Sequence, residues 1–238
     1  MINDLKNIDS PDYEDVIKRI NATPKFVQGY DRSRTLGILK ELGDPHKCFR
    51  MVHIAGTNGK GSVAKLMSLI LREQGMKVGL FVSPHLVRVN ERISVNGEDI
   101  SDDELVQLFY KITETIGDGV IPFFDLLFLM ATLYFAEQSL DYVVYETGLG
   151  GRLDATNVIT PEISIITSIG LDHMQYLGNT IEEIAYEKAG IIKQGVPVVY
   201  NTGGEHIADS IIEKTASNLC SKFYNVVEYE DVLSADSF

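Results

Sequence analysis

Apolar and polar positions along this chain follow two different periods, and the two alternate. Residues 11–20 and 33–42 place apolar side chains at helical spacing (Val16 and Ile20; Leu36, Ile38, Leu39 and Leu42), and Gly43-Asp44-Pro45 stops the second segment. Continuous apolar runs of strand length stand at 52–55, 78–82, 142–145, 163–167 and 196–200, as expected of strands buried on both faces. Helical patterns separate them. Residues 63–71 form one, ended by Gly75. Ser101-Asp102-Asp103-Glu104 is a capping box opening a helix to about Ile116, residues 124–138 read as a largely apolar helix, and Thr180-Ile181-Glu182-Glu183 caps another that ends near Lys188-Ala189-Gly190. Ile93-Ser94-Val95-Asn96-Gly97 alternates and ends in Asn-Gly, so a small hairpin near 93–100 is expected to project from the sheet. The prediction is an α/β fold of P-loop type, a mostly parallel sheet with helices on both faces. Residues 1–238 read as one domain, with a helical prelude to about residue 48.

Bulk properties narrow the function classes. The 238 residues suffice for a substantial core. No apolar run approaches the ~20 residues that cross a bilayer, and residues 1–9 are polar with no signal-peptide h-region, so a cytoplasmic protein without membrane association is expected. Cys48 and Cys220 stand far apart and read as two reduced thiols. A net charge of −13 argues against a nucleic-acid partner. It also repels nucleotides, so binding one needs local cations such as Lys60, Arg88, Arg92 and Arg152, together with Mg²⁺.

Chemistry collects at four predicted strand ends, which the topology of a parallel sheet puts on one rim. The first is Gly56-Thr57-Asn58-Gly59-Lys60-Gly61-Ser62, between a strand and a helix. Glycines let the backbone curl, amide N–H groups and the helix start face an anion, Lys60 adds a point charge for β/γ-phosphates, and the Ser62 hydroxyl reaches toward magnesium. The spacing departs from G-x-x-x-x-G-K-[ST], because Gly56 lies four positions before Lys60 and Gly61 intervenes before Ser62. The other three are Ser83-Pro84-His85, residues 146–157 and residues 168–173. Glu146 sits where a Walker-B acid holds magnesium or orients water, and His173 beside it is a candidate second-metal ligand. Residue type alone reads Lys188 as a surface lysine.

These motifs together resemble the ATPase domain of folylpolyglutamate synthase and of the bifunctional dihydrofolate synthase/folylpolyglutamate synthase, within the Mur ligase superfamily. The marks are residues 55–62, Ser83-Pro84-His85-Leu86 with Asn90-Glu91-Arg92-Ile93, residues 148–157, residues 167–173 and Glu187-Lys188-Ala189-Gly190, and the resemblance runs from about Asp31 to Tyr200. It implies a Mur ligase central-domain-like fold, ATP and Mg²⁺ as cofactors, a phosphate grip at Gly59, Lys60, Gly61 and Ser62, and magnesium ligands at Ser83, Glu146 and His173. It implies that Lys188 is carried as a carbamate. Pro122, Phe123, Phe124 and Asp125, with Leu153, Asp154 and Ala155, match segments lining the pteroate site, with Pro122 where threonine is common and Asp125 where glutamate is common.

The implied reaction adds L-glutamate to a folate, or to dihydropteroate, through an acyl phosphate, with Lys60, His173 and Lys188 as catalytic candidates in a monomer that acts on small molecules. The family's C-terminal glutamate-binding domain is expected to be missing, and the chain by itself is expected to bind Mg·ATP weakly and ligate poorly. Other readings are a nucleotide-binding module without ligase activity, a P-loop kinase or NTPase of another substrate, and a ligase of cell-wall precursors.

Overall fold

A computed structural model describes residues 13–201 and 206–226. Eight strands form one sheet: β1 (Arg50–Ala55), β2 (Val78–Phe81), β3 (Ile93–Val95), β4 (Glu98–Asp99), β5 (Tyr142–Glu146), β6 (Ile163–Ile166), β7 (Val198–Tyr200) and β8 (Phe223–Asn225). Their spatial order is β4-β3-β2-β5-β1-β6-β7-β8. All neighbours run parallel except at the β4-β3-β2 edge. The predicted hairpin forms around Asn96-Gly97, but it does not project. β3 pairs antiparallel with β2, Gly79 opposite Val95, because an edge strand satisfies its backbone by joining the sheet.

The helices are α1 (Tyr13–Ala22), α2 (Arg32–Glu41), α3 (Lys60–Glu73), α4 (Asp102–Ile116), α5 (Phe123–Glu137), α6 (Met174–Leu177), α7 (Ile181–Ala189) and α8 (His206–Asn218). The sequence pattern above assigns no element to α6 or α8. The predicted polar start at 1–9 and the first two residues of the predicted 11–20 helix lie outside the described residues.

Strand parity divides the core, since alternate side chains face opposite sides of a sheet. Val52, Ile54, Val78, Leu80, Val144 and Ile165 face α3. Met51, Phe81, Val143 and Tyr145 face α5, while Ala55, Ile166, Val198 and Tyr200 pack with α7 and α8. Residues 126–135 of α5 are all buried, which accounts for its lack of a polar face. Its Phe128 ring lies 5.5 Å from that of Tyr145. In α4, Leu105, Leu108, Phe109 and Ile112 supply the apolar stripe, and the Ser101 and Glu104 capping box forms as predicted.

β1 stands between β5 and β6; the chain runs from β1 toward β2 on one side and from β6 toward β7 on the other. That is the topological switch point, where open α/β sheets bind ligands. The register pairs Ile54 with Glu146 and Ala55 with Ile166, so the carboxyl ends of these strands reach the same rim.

Candidate active site

The loop after β1 is strapped to the loop after β6. Thr57 N–H donates to Ser168 O at 2.8 Å, Asn58 N–H donates to Ser168 Oγ at 3.2 Å, and Thr167 Oγ1 donates to Asn58 O at 2.7 Å. Gly56 makes the crossing possible. Its φ is +151°, and a Cβ there would stand 1.9 Å from Thr167 Oγ1. The amides of Thr57 and Asn58 are thus spent inside the protein. What remains for an anion is the first turn of α3, where Gly59, Lys60, Gly61 and Ser62 precede the first intrahelical donor, Val63 N–H to Gly59 O at 2.9 Å. The predicted phosphate-binding set therefore divides in two: residues 56–58 shape the loop, and residues 59–62 carry the free donors.

Glu146 lies beneath this turn. It is 2% exposed, accepts the Ser83 N–H at 3.0 Å, and its Oε2 stands 3.5 Å from where a Cβ on Gly61 would be. Burial pushes its carboxyl up, against the pull of the Ser83 N–H, Lys60 and Arg92. One carboxylate with two nearby seryl residues, Ser62 and Ser83, suits magnesium, which keeps waters and binds through few protein ligands plus substrate phosphates. Among the described residues no three His, Cys, Asp or Glu side chains gather as a metal cluster. No hydrogen bond or ion pair joins His173 to Glu146; the His173 ring lies 3.6 Å from Asp172, and half its side chain is exposed.

Lys188 is 2% exposed, so it is not the surface lysine its residue type predicts. Its Nζ donates to Gly56 O at 2.8 Å, and Lys60 Nζ donates to the same carbonyl at 3.1 Å. Burial, helped by the Lys60 charge, lowers the Lys188 ammonium to about 8. The end of α7 that carries it packs against the loop after β5. Arg152 N–H donates to Glu187 O at 2.7 Å, and its guanidinium holds Glu187 Oε1 at 2.7 and 3.0 Å. Gly190 lets the two backbones touch, since a Cβ there would meet the Arg152 Cα at 2.4 Å. The 148–157 and 187–190 motifs are therefore two halves of one packing contact.

Asp154 closes that loop on itself. Its Oδ2 accepts the N–H groups of Gly148 and Leu149, both at 2.9 Å, and its Oδ1 accepts from Thr156 N–H at 3.0 Å and from the Thr156 hydroxyl. The Thr156 hydroxyl also meets His53 Nε2 at 2.7 Å, linking the loop to β1. His53 is buried and held to about 3 by desolvation. Of the three predicted pteroate-side residues here, Ala155 is buried, Leu153 is exposed, and the Asp154 carboxylate has its oxygens committed to the loop.

The second predicted lining segment meets the first. The Phe124 ring lies 2.6 Å from where a Cβ on Gly148 would be, and it packs against Phe81 at 5.4 Å between centroids. Phe123 and Asp125 open α5 with it, Pro122 standing at the cap. Asp125 accepts from Thr35 Oγ1 at 2.8 Å, and burial raises its carboxyl to about 6. Thr35, and Tyr30 3.2 Å from it, are contributions that sequence reasoning missed. Their only signal was a polar residue on the apolar stripe of α2. Two surface grooves, of about 280 Å³ beside Tyr30 and Arg34 and of about 240 Å³ beside Arg152 and Tyr186, are lined without Lys60, Glu146 or Lys188.

Comparison with known proteins gives one consistent answer. Residues 54–232 match the Mur ligase middle domain. The dihydrofolate synthase/folylpolyglutamate synthase of Bacillus subtilis is 47% identical over 194 residues, covering 79% of this chain and 45% of that protein. A crystal structure of folylpolyglutamate synthase from Thermotoga maritima superposes with a TM-score of 0.81 at 39% identity, over 90% of this chain and 49% of that one. E. coli FolC in complex with DHPP and ADP superposes with a TM-score of 0.83 at 32% identity, over 91% and 51%. The chain spans about half the length of these relatives.

Proposed function

Because this chain belongs to the Mur ligase family through its middle domain, we propose that it is the ATP-handling part of a ligase joining L-glutamate to the carboxylate of a folate or of dihydropteroate. The observation that carries the reading is the free first turn of α3 at residues 59–62, which includes Lys60 and lies over Glu146, with Lys188 alongside. Backbone donors and an ammonium group suit the β- and γ-phosphates. Magnesium, held by Glu146 with the hydroxyls of Ser62 and Ser83, would supply neutralising charge there.

A carboxylate resists attack by an amine. In the proposed reaction its oxygen takes the γ-phosphoryl group and ADP leaves. The amine of L-glutamate then attacks the acyl carbon, phosphate departs with the C–O bond's electrons, and the nitrogen loses a proton to leave an amide. The residues at the rim contribute alignment and charge neutralisation, without a covalent protein nucleophile. A Lys188 amine lowered to about 8 is neutral in a larger fraction near neutral pH than an ordinary lysine, which favours the carbamate the family resemblance implies. ¹³C-bicarbonate labelling read by carbon NMR checks it. The same reading makes the protein a cytoplasmic monomer that works on small molecules.

A thermal-shift series tests the proposal. Mg·ATP should raise the melting temperature of the 238-residue chain, and dihydropteroate should raise it further only when nucleotide is present. No shift with Mg·ATP overturns nucleotide binding. A nucleotide shift that no pteridine carboxylate extends favours a P-loop NTPase of another substrate.

A further inference from the structure

Two of the sequence marks, Ser83-Pro84-His85 and Asn90-Glu91-Arg92, contribute side chains that the proposed function does not use: His85 and Arg92. In the fold they meet. Arg92 Nε donates to His85 Nδ1 at 2.8 Å, joining the segment after β2 to the residue before β3. Arg92 is 7% exposed, and its guanidinium carbon stands 5.4 Å from the centre of the Phe123 ring. Among the described residues no carboxylate makes an ion pair with it. Asp102 pairs with Arg88, and Glu91 spends its oxygens on the backbone N–H groups of Leu86, Val87 and Arg88. Glu146 acts on Arg92 only through space.

A buried guanidinium without a carboxylate partner is costly, so its presence calls for a compensating anion. The Nε–H is committed to His85, which leaves the two terminal nitrogens, a planar pair suited to gripping both oxygens of a carboxylate. The position is also right. Lys60 and Arg92 both pull on Glu146, one from the phosphate loop and one from beside Phe123, a residue of the predicted acceptor side.

We propose that Arg92, held in orientation by His85, grips the acceptor carboxylate and presents it to the γ-phosphoryl group. This rests on the ligase reading above and adds to it the residue that recognises the reacting group. Arg92 is then a specificity residue for a carboxylate, and His85 a positioning residue acting through it.

Isothermal titration of the 238-residue chain, with Mg²⁺ and a non-hydrolysable ATP analogue present, compares dihydropteroate with its carboxamide. The wild type should prefer the carboxylate by at least about tenfold. Arg92→Gln should weaken carboxylate binding about 10- to 100-fold and leave carboxamide binding in place, which also reports that the variant is folded. Should Arg92→Gln fail to fold, Arg92→Lys carries the test, and it should lose most of the preference because a point charge lacks the planar fork. His85→Ala should cost about threefold, and His85→Asn, whose side-chain oxygen can accept the Nε–H, should restore it. Unchanged carboxylate affinity in Arg92→Gln, or an equal loss for both compounds, overturns the inference. If the wild type binds both compounds equally, the ligase reading stands and the role of Arg92 falls. If it binds neither while binding Mg·ATP, the folate acceptor itself is wrong and both fall.

Discussion

Two glycine-rich loops leave neighbouring strands of this sheet and treat their backbone amides in opposite ways. The loop after β5 is closed: Asp154 takes the N–H groups of Gly148, Leu149 and Thr156, and Arg152 locks the loop to α7. The loop after β1 is closed only in its first half, where Ser168 takes the amides of Thr57 and Asn58, and it opens at residues 59–62 into an unpaired helix start. Glycine content does not distinguish them. An aspartate six residues downstream in one loop and a free first turn of helix in the other do. The closed loop packs on the end of α7 that carries Lys188, whose Nζ reaches Gly56 O in the open one; the open loop is the proposed binding surface.

The comparison breaks if substitutions in the two loops act alike. The largest effect belongs to Gly56→Ala, at the crossing of the strap. A Cβ 1.9 Å from Thr167 Oγ1, at a φ of +151°, should cost at least about 3 kcal/mol in urea unfolding and abolish the Mg·ATP thermal shift. Next comes Asp154→Asn in the closed loop. Replacing one acceptor oxygen by an amide NH₂ leaves buried N–H groups unpaired, so stability should fall by about 2–3 kcal/mol. An unfolding midpoint within error of wild type would show that the loop is not held from within.

Lys60→Ala sharpens the contrast from the other side. Affinity for Mg·ATP should drop about 10- to 100-fold by calorimetry while stability stays within about 1 kcal/mol, the reverse of the Asp154 variant. The smallest effect is a slope. Asp125, raised from 3.8 to about 6 mainly by burial, binds its proton more tightly in the folded chain. Its favourable contribution is complete below about pH 4 and is lost as pH rises through about 6, so wild-type stability should decline across that window relative to Asp125→Asn. Parallel pH–stability curves for the two proteins would remove Asp125 from the account.

Local sequence already prescribes much of this molecule. The apolar runs became β1, β2, β5, β6 and β7, the capping box at Ser101 and the N-cap at Thr180 opened α4 and α7, and the parallel order put the four polar segments on one rim. These features depend on spacing over a few residues, and short-range sterics and periodicity encode them directly. The helix α8 has weaker local signals, with Ala208, Ile212 and Ala216 buried only because α7 and β7 lie beneath them.

What the sequence determined by itself was the backbone conformation of each motif and, through five ordered motifs, the Mur ligase kinship. Only the tertiary structure decided which donors stay free and which charges are buried. Lys188 meets a carbonyl 132 positions away, the strap on Thr57 and Asn58 comes from residues about 110 positions on, and Arg92 finds His85 through the pairing of β2 with β3. Burial and partnership of a long polar side chain depend on segments remote in the chain, and no local rule of spacing carries that information. Gly56–Ser62 reads as a phosphate loop from its letters; which half of it keeps its amides unpaired is set by its neighbours.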